Sequence, residues 1–278
     1  LGVVVRSRIT CQFRGRLGNQ MFLAATAMAF AWEHQAVPVF TKRQRLNIVN
    51  PDHQGPNQVT RIFPNLRTRL FLRIGRNPLC PGDPPDFSYQ AIPFEPGRNY
   101  VIDGFRQSEK YFVTYRPRIL DAFTLRASER TQLNRKYADW LRGNTASLHV
   151  RRTDYTPGSN TMFHHLYRDF AYYQAALARL PRLASVLVFS DDIPFCRQNL
   201  NLGVPTRFVE GEQDHHDMYL MSQCRHNIVA NSTFSWWGAW LNTNPGKVVV
   251  APKKWGGPAW VNRGDTDQDI VPESWIRI

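Results

Sequence analysis

Apolar and polar positions along this chain fall into two rhythms that take turns. Residues 9–13 form a short apolar run with the look of a strand. A glycine turn, Gly15-Arg16-Leu17-Gly18, follows, and residues 19–34, rich in Ala, Met and Phe, have the length and composition of a helix. Residues 37–40 read as the next strand, which completes a strand–turn–helix–strand unit of the α/β type. The second half repeats this more cleanly. Strands are predicted at 145–150, 185–189, 227–230 and 247–250. The helices between them fall at 169–180, at 217–224 and, Trp-rich, after Asn231-Ser232-Thr233. This is the pattern of a doubly wound parallel domain.

The intervening stretch is less regular. Pro and Gly cluster at 77–85 and 93–97, and within 41–98 the periodicity supports one helix, over 62–74. That zone is expected to carry variable, substrate-shaping structure. A strand at 100–103 and an amphipathic helix at 129–142, stopped by Gly143-Asn144, complete the reading. A boundary near 140 divides the chain into residues 1–140 and 141–278, two α/β halves facing each other across a cleft. There is no internal repeat or low-complexity segment.

Composition narrows the function. With 278 residues, 42% hydrophobic and 21% charged, the chain is globular and not disordered. A formal charge of +13 calls for an anionic partner. The positive residues are mostly Arg and are spread along the chain without a Lys/Arg block or a recognised binding motif, so nucleic acid is not the expected partner. No run of about 18 apolar residues is present to span a bilayer. Cys11, Cys80, Cys196 and Cys224 show no CxxC spacing, and Cys11 and Cys224 read as buried thiols. That favours a reducing compartment. The chain starts at Leu1 and not at Met, which leaves room for an upstream anchor.

Three strand ends in the second half carry candidate chemistry. The first is His149-Val150-Arg151-Arg152-Thr153-Asp154-Tyr155. Adjacent arginines at the end of a buried strand are costly unless an anion meets them, and the guanidinium fork matches phosphate oxygens. A basic turn paired to Asp154 is the plainer alternative. The second end is Ser190-Asp191-Asp192, with carboxylates for ribose hydroxyls or a base edge, or simply for capping the next helix. The third is Asn231-Ser232-Thr233, where a helix N-terminus favours an anion and where Ser232 or Thr233 would equally serve as an N-cap. Parallel strands bring all three to one rim, beyond which ligands bind. Together they make the inventory of a nucleotide-sugar site.

Trp236, Trp237 and Trp240 read as core packing. Asp265-Thr266-Asp267 has DxD spacing but reads as a solvated turn. Asp214-His215-His216-Asp217 is a poor zinc site, because adjacent histidines diverge on a helix. No metal is expected, since paired arginines can neutralise a leaving diphosphate.

These motifs resemble the α1,2-fucosyltransferases of glycosyltransferase family 11. The resemblance rests on Gly15-Arg16-Leu17-Gly18-Asn19-Gln20-Met21-Phe22, Gln107-Ser108-Glu109-Lys110-Tyr111-Phe112, the arginine heptad, Phe189-Ser190-Asp191-Asp192, and the eleven residues from Asn231 to Leu241, in family order. It implies a GT-B-like architecture of two Rossmann-like domains, the first on the acceptor side and the second binding GDP-fucose. It also implies metal-independent, inverting transfer of fucose to the 2-hydroxyl of a terminal β-galactoside. By the same resemblance Arg151 holds the pyrophosphate and His149 contacts the nucleotide. Asp191 or Asp192 and Ser232 line the GDP site, with Arg152, Asn231 and Thr233 beside them, and the Gly15–Asn19 loop lies near the reacting centre.

Asp154, Glu109 and Asp103 are the candidates for the base. The family usually has Gly where Thr153 stands, and an aromatic or aliphatic residue where Arg106 stands, which puts the acceptor surface in question. The alternatives are a GDP-sugar transferase with another sugar or acceptor, and an inactive GDP-sugar- or glycan-binding protein. A bacterial member would be cytoplasmic or peripherally membrane-associated; an animal member would sit in the Golgi membrane through an anchor outside this chain.

Overall fold

In a computed structural model the described residues are 6–41, 57–66, 68–69, 74, 78–82, 87–152, 169–264 and 266–278. The chain divides into two compact units, Leu1–Arg126 and Ala127–Ile278. The divide comes ahead of the expected boundary near 140, because the helical stretch before Gly143 belongs to the second unit. There Leu133 and Tyr137 pack with Leu187, Phe189 and Leu220.

The first unit begins with β1 (Arg8–Cys11), α1 (Leu17–Glu33), β2 (Val37–Pro38) and β3 (Phe40–Thr41). Then come α2 (Val59–Ile62), β4 (Thr68–Arg69), β5 (Tyr100–Ile102), two 3-10 turns at Glu109–Tyr111 and Val113–Tyr115, and α3 (Arg116–Ala122). Strands β2, β1 and β5 form a parallel sheet in that order, and β3 pairs with β4 in a separate parallel ribbon. Helix α1 is buried almost continuously from Leu17 to Ala31, as a helix apolar on all faces must be.

Two expectations fail here, both at prolines. The strand predicted at 37–40 splits between two sheets, because Pro38 has no N–H to continue a ladder. The helix predicted at 62–74 ends at Ile62. Phe63 precedes Pro64 and is extended (φ −99°, ψ 107°), the conformation a following proline imposes.

The second unit opens with α4 (Ala127–Lys136), α5 (Ala138–Leu141) and β6 (Thr145–Val150). It continues through α6 (Phe170–Leu177), β7 (Ser185–Ser190), α7 (Ile193–Asn199), β8 (Thr206–Phe208), α8 (Asp214–Gln223) and β9 (His226–Ile228). It closes with α9 (Thr233–Leu241), β10 (Val249–Ala251), α10 (Pro258–Arg263) and β11 (Ile276–Arg277). All six strands are parallel, in the order β11-β10-β9-β6-β7-β8. The chain runs outward from β6 through β7 to β8. It then returns to the other side of β6 at β9 and runs outward again.

Strand residues alternate between two apolar layers. Leu148, Val150, Val186 and Val188 face Tyr172, Tyr173 and Cys196, whereas Leu187 and Phe189 face Leu133, Leu220 and Met221. Helices cover both faces, which explains the nearly uninterrupted apolar runs. Helices α8 and α9 approach so closely that a Cβ on Gly238 would lie 2.7 Å from Met221 Cβ.

Candidate active site

The reversal of strand order between β6 and β9 places a crevice beyond their carboxyl ends, the position at which open α/β sheets bind ligands. The predicted residues leave the sheet there. Register sets Val150 opposite Ser190, so Arg151 and Asp191 emerge side by side. Leu148 is opposite Ile228, and the same offset carried past the strand ends sets Arg151 alongside Asn231.

The charged groups are interlocked. Arg151 Nη1 lies 3.3 Å from Asp191 Oδ2. The Arg152 backbone N–H donates to Asp191 Oδ1 at 2.9 Å, its Nε lies 3.4 Å from Asp192 Oδ2, and its guanidinium stacks 3.5 Å above the Phe195 ring. Asp192 also accepts the Phe195 N–H at 3.2 Å and so caps α7. Thus Asp191 and Asp192 hold the arginine turn, a task the sequence alone could not distinguish from contact with a nucleotide.

His149 is buried on the opposite face of β6 from Val150, its ring 5.4 Å from that of Phe234 on α9. Its Nδ1 has no hydrogen-bond partner among the described residues. Burial first, then the Arg151 charge, pulls its pKa down to about 3, with Asp191 opposing. The ring is therefore neutral at physiological pH.

Ser232 is the N-cap of α9; its Oγ accepts the Phe234 N–H at 3.4 Å. Thr233 opens the helix, whose first-turn N–H groups have no intrahelical acceptor and whose dipole favours an anion. Asn231 is buried and its Nδ2 donates to the Trp255 carbonyl at 3.1 Å. The helix itself is pinned by the expected aromatic core: Trp236 and Trp237 are fully buried, Trp240 stacks on Trp236, and Trp236 Nε1 donates to the Ile270 carbonyl at 2.8 Å. Asp267 accepts the Trp255 N–H at 2.5 Å, a tie across α10; Asp265 lies outside the described residues.

The remaining candidates lie in the first unit. Gly15 adopts φ +62°, and a Cβ there would meet Asn19 Nδ2 at 2.6 Å. Asn19 accepts from Gln107 Nε2 at 3.1 Å. Gln20 ties the turn to α2 by donating to the Gly15 carbonyl at 2.9 Å and accepting the Gln58 N–H at 2.9 Å. Glu109 begins the 3-10 turn that Ser108 caps. Asp103 is ill suited to act as a base, because the Arg14 fork grips both oxygens at 2.6 Å and the Gly104 N–H adds a bond at 2.8 Å. Asp154, with Thr153 and Tyr155, lies outside the described residues.

Arg106 departs from its expected place on an acceptor surface. It is buried, with its guanidinium donating to Tyr111 Oη at 3.0 Å and to the carbonyls of Pro81 (3.0 Å) and Gly82, so it straps residues 78–82 to the unit.

The sequence matches the model of glycosyl transferase family 11 over residues 5–278. The chain belongs to glycosyltransferase family 11. An α-1,2-colitosyltransferase of Escherichia coli is 29% identical, covering 98% of this chain and 99% of that protein. The galactoside α-(1,2)-fucosyltransferase 2 of Hylobates lar is also 29% identical, over 85% of this chain and 70% of its own length. Among solved structures, the α-1,6-fucosyltransferase NodZ co-crystallized with GDP has a TM-score of 0.55 at 16% identity, covering 84% of this chain and 91% of that one. That likeness shows a shared GT-B fold.

Two aromatics stand beside the predicted residues in roles that the sequence did not assign to them. Phe195 stacks beneath Arg152 and Phe234 lies beside His149. Phe195 follows Asp192 by three residues and Phe234 directly follows Thr233, and an aromatic there carries no such role until the fold places it. A third grouping departs from its expected geometry. Histidines 215 and 216 were expected to diverge; their ring centroids lie 4.4 Å apart, and both Nε2 atoms sit 3.5 Å from Glu129 Oε1. Both rings lean off the first turn of α8 toward α4, which the 100° step between neighbouring helical residues still allows for side chains this long.

Proposed function

We propose that this family 11 enzyme transfers L-fucose from GDP-fucose to the 2-hydroxyl of a terminal β-galactoside, with inversion and without a metal. The observation that carries the reading is the collection of Arg151, His149 and the N-terminus of α9 at the chain reversal between β6 and β9. In this scheme the acceptor oxygen attacks the anomeric carbon, the bond from that carbon to the β-phosphate oxygen breaks, and its electron pair stays on the phosphate. Arg151 and the N–H groups at Ser232–Thr233 stabilise the charge that develops there. A base, Asp154 or Glu109, takes the acceptor proton. Arg152, tied on three sides, shapes the turn.

The linkage is supported from two directions, since the bacterial and the mammalian relative are each α-1,2-transferases by name. The same bacterial relative favours a second reading, in which colitose replaces fucose. The test is release of GDP from GDP-fucose on addition of lactose or another β-galactoside, with and without EDTA, beside the same assay with GDP-colitose. Turnover only with GDP-colitose selects the second reading. No GDP release in any arm rejects both, and activity that is lost to EDTA and restored by Mg²⁺ or Mn²⁺ but not by Zn²⁺ rejects the role given to the arginine.

A further inference from the structure

Away from the strand ends, four side chains from sequence-distant elements converge between α4 and α8. Glu129 comes from α4, His215 and His216 from the first turn of α8, and Glu212 from just before it. One ligand atom from each of Glu129, His215 and His216 lies within 4.8 Å of the other two. Each Nε2 is 3.5 Å from Glu129 Oε1. That is long for a charge-assisted hydrogen bond, which closes to about 2.8 Å. It is close to the edge of a tetrahedron around a zinc ion with bonds of about 2.0–2.1 Å, roughly 3.3 Å.

The surroundings point the same way. His216 Nδ1 faces Glu212 Oε2 at 3.5 Å, the carboxylate–histidine arrangement that fixes an imidazole with its Nε2 lone pair turned to a metal. Glu212 is anchored through its other oxygen, which accepts from Lys136 Nζ at 2.5 Å and Tyr137 Oη at 3.2 Å. The three side chains are 12–23% exposed, shielded yet reachable from solvent.

We infer that Glu129, His215 and His216 form a site for a borderline transition-metal ion of the Zn²⁺ class, oriented by Glu212, that clamps α4 to α8. Two imidazoles and one carboxylate suit Zn²⁺ or Co²⁺ and disfavour Mg²⁺ and Ca²⁺. Three protein ligands leave a fourth position to water. The site shares no residue with the strand ends that carry Arg151 and Asp191, so its role is structural, and the inference does not depend on the donor or acceptor.

The test is equilibrium dialysis of the metal-stripped full chain against Zn²⁺, and absorption spectra with Co²⁺. The wild type should bind one ion whose loss lowers the midpoint of thermal unfolding, and Co²⁺ should give the visible bands of a four-coordinate site. His215→Ala with His216→Ala should weaken this binding by more than about 10²-fold, and Glu212→Gln by about 10–100-fold. Circular dichroism and Trp fluorescence should report each variant as folded. No ion bound by the wild type at micromolar Zn²⁺ overturns the inference. So does equal binding by the double histidine variant, which would assign the ion to the cysteines or another group.

Discussion

His149 offers the sharpest quantitative test of how the candidate site is built. Burial holds its pKa at about 3 against an ordinary value of 6.5. Between those two values the unfolded chain carries a proton that the folded chain refuses, so acid favours unfolding. The contribution is fully present above pH 6.5 and is lost as pH falls toward 3. Over the whole window it amounts to on the order of 5 kcal/mol. Between pH 7.5 and pH 5 the same linkage gives a loss of about 2 kcal/mol.

His149→Gln isolates this term, because glutamine reaches where Nε2 reaches and does not titrate. Seven of the eight tryptophans, all except Trp32, belong to the second unit, so urea unfolding followed by Trp fluorescence reports that unit. The wild type should lose about 2 kcal/mol more than the variant on going from pH 7.5 to pH 5. Histidines 215 and 226 are also held below their ordinary values by burial, but they contribute equally to both proteins and cancel. Parallel pH dependences, agreeing within about 0.5 kcal/mol, would refute the reasoning, as would an NMR titration of His149 near pH 6.

Three further outcomes are expected. Arg151→Ala should reduce kcat by about 10²-fold or more while Trp fluorescence shows the fold intact, and Arg151→Lys should recover only part of the loss because a point charge replaces a fork. Gly238→Ala should destabilise the second unit by about 1–3 kcal/mol in urea unfolding, since its Cβ would stand 2.7 Å from that of Met221. Arg106→Ala should leave the carbonyls of Pro81 and Gly82 without the guanidinium and raise the proteolytic susceptibility of residues 78–82; unchanged GDP affinity is expected, and a large change in acceptor KM without that susceptibility would contradict the strapping role.

What could be read in the chain beforehand follows from how local each signal is. β6 and β7 were legible because buried strand cores, Ala146–Leu148 and Val186–Phe189, lead into charged residues. Helix α9 was legible because Ser232 caps it. β8 and β11 were missed: three and two residues at the sheet edges, half-exposed, carry no run and little alternation. The divide at 126 had no local signal, since no Gly or Pro marks Thr124-Leu125-Arg126, and Gly143-Asn144 only turns α5 into β6. For the site, residue types were legible and their division of labour was not. Which carboxylate grips which arginine depends on register across a sheet, and Glu129 meets His215 and His216 only through the packing of α4 on α8.

The alternatives that the sequence left open at each strand end need not compete. Ser232 caps α9, and that cap aligns the helix end whose free N–H groups favour an anion. Asp192 caps α7 and through the same carboxylate steadies Arg152. Asp191 binds the Arg152 backbone with one oxygen and faces the Arg151 guanidinium with the other. Two arginines side by side repel each other, and ordering both side chains costs conformational entropy. The aspartates offset both costs within the fold. In the proposed mechanism a diphosphate arriving at Arg151 would meet a cation already positioned by Asp191 and would share it with that carboxylate. Preorganisation of this kind is what lets a charge-stabilising group act on a transition state without being reorganised during the reaction. On the proposed mechanism, the residues that look merely structural are therefore the ones that would give Arg151 its catalytic value.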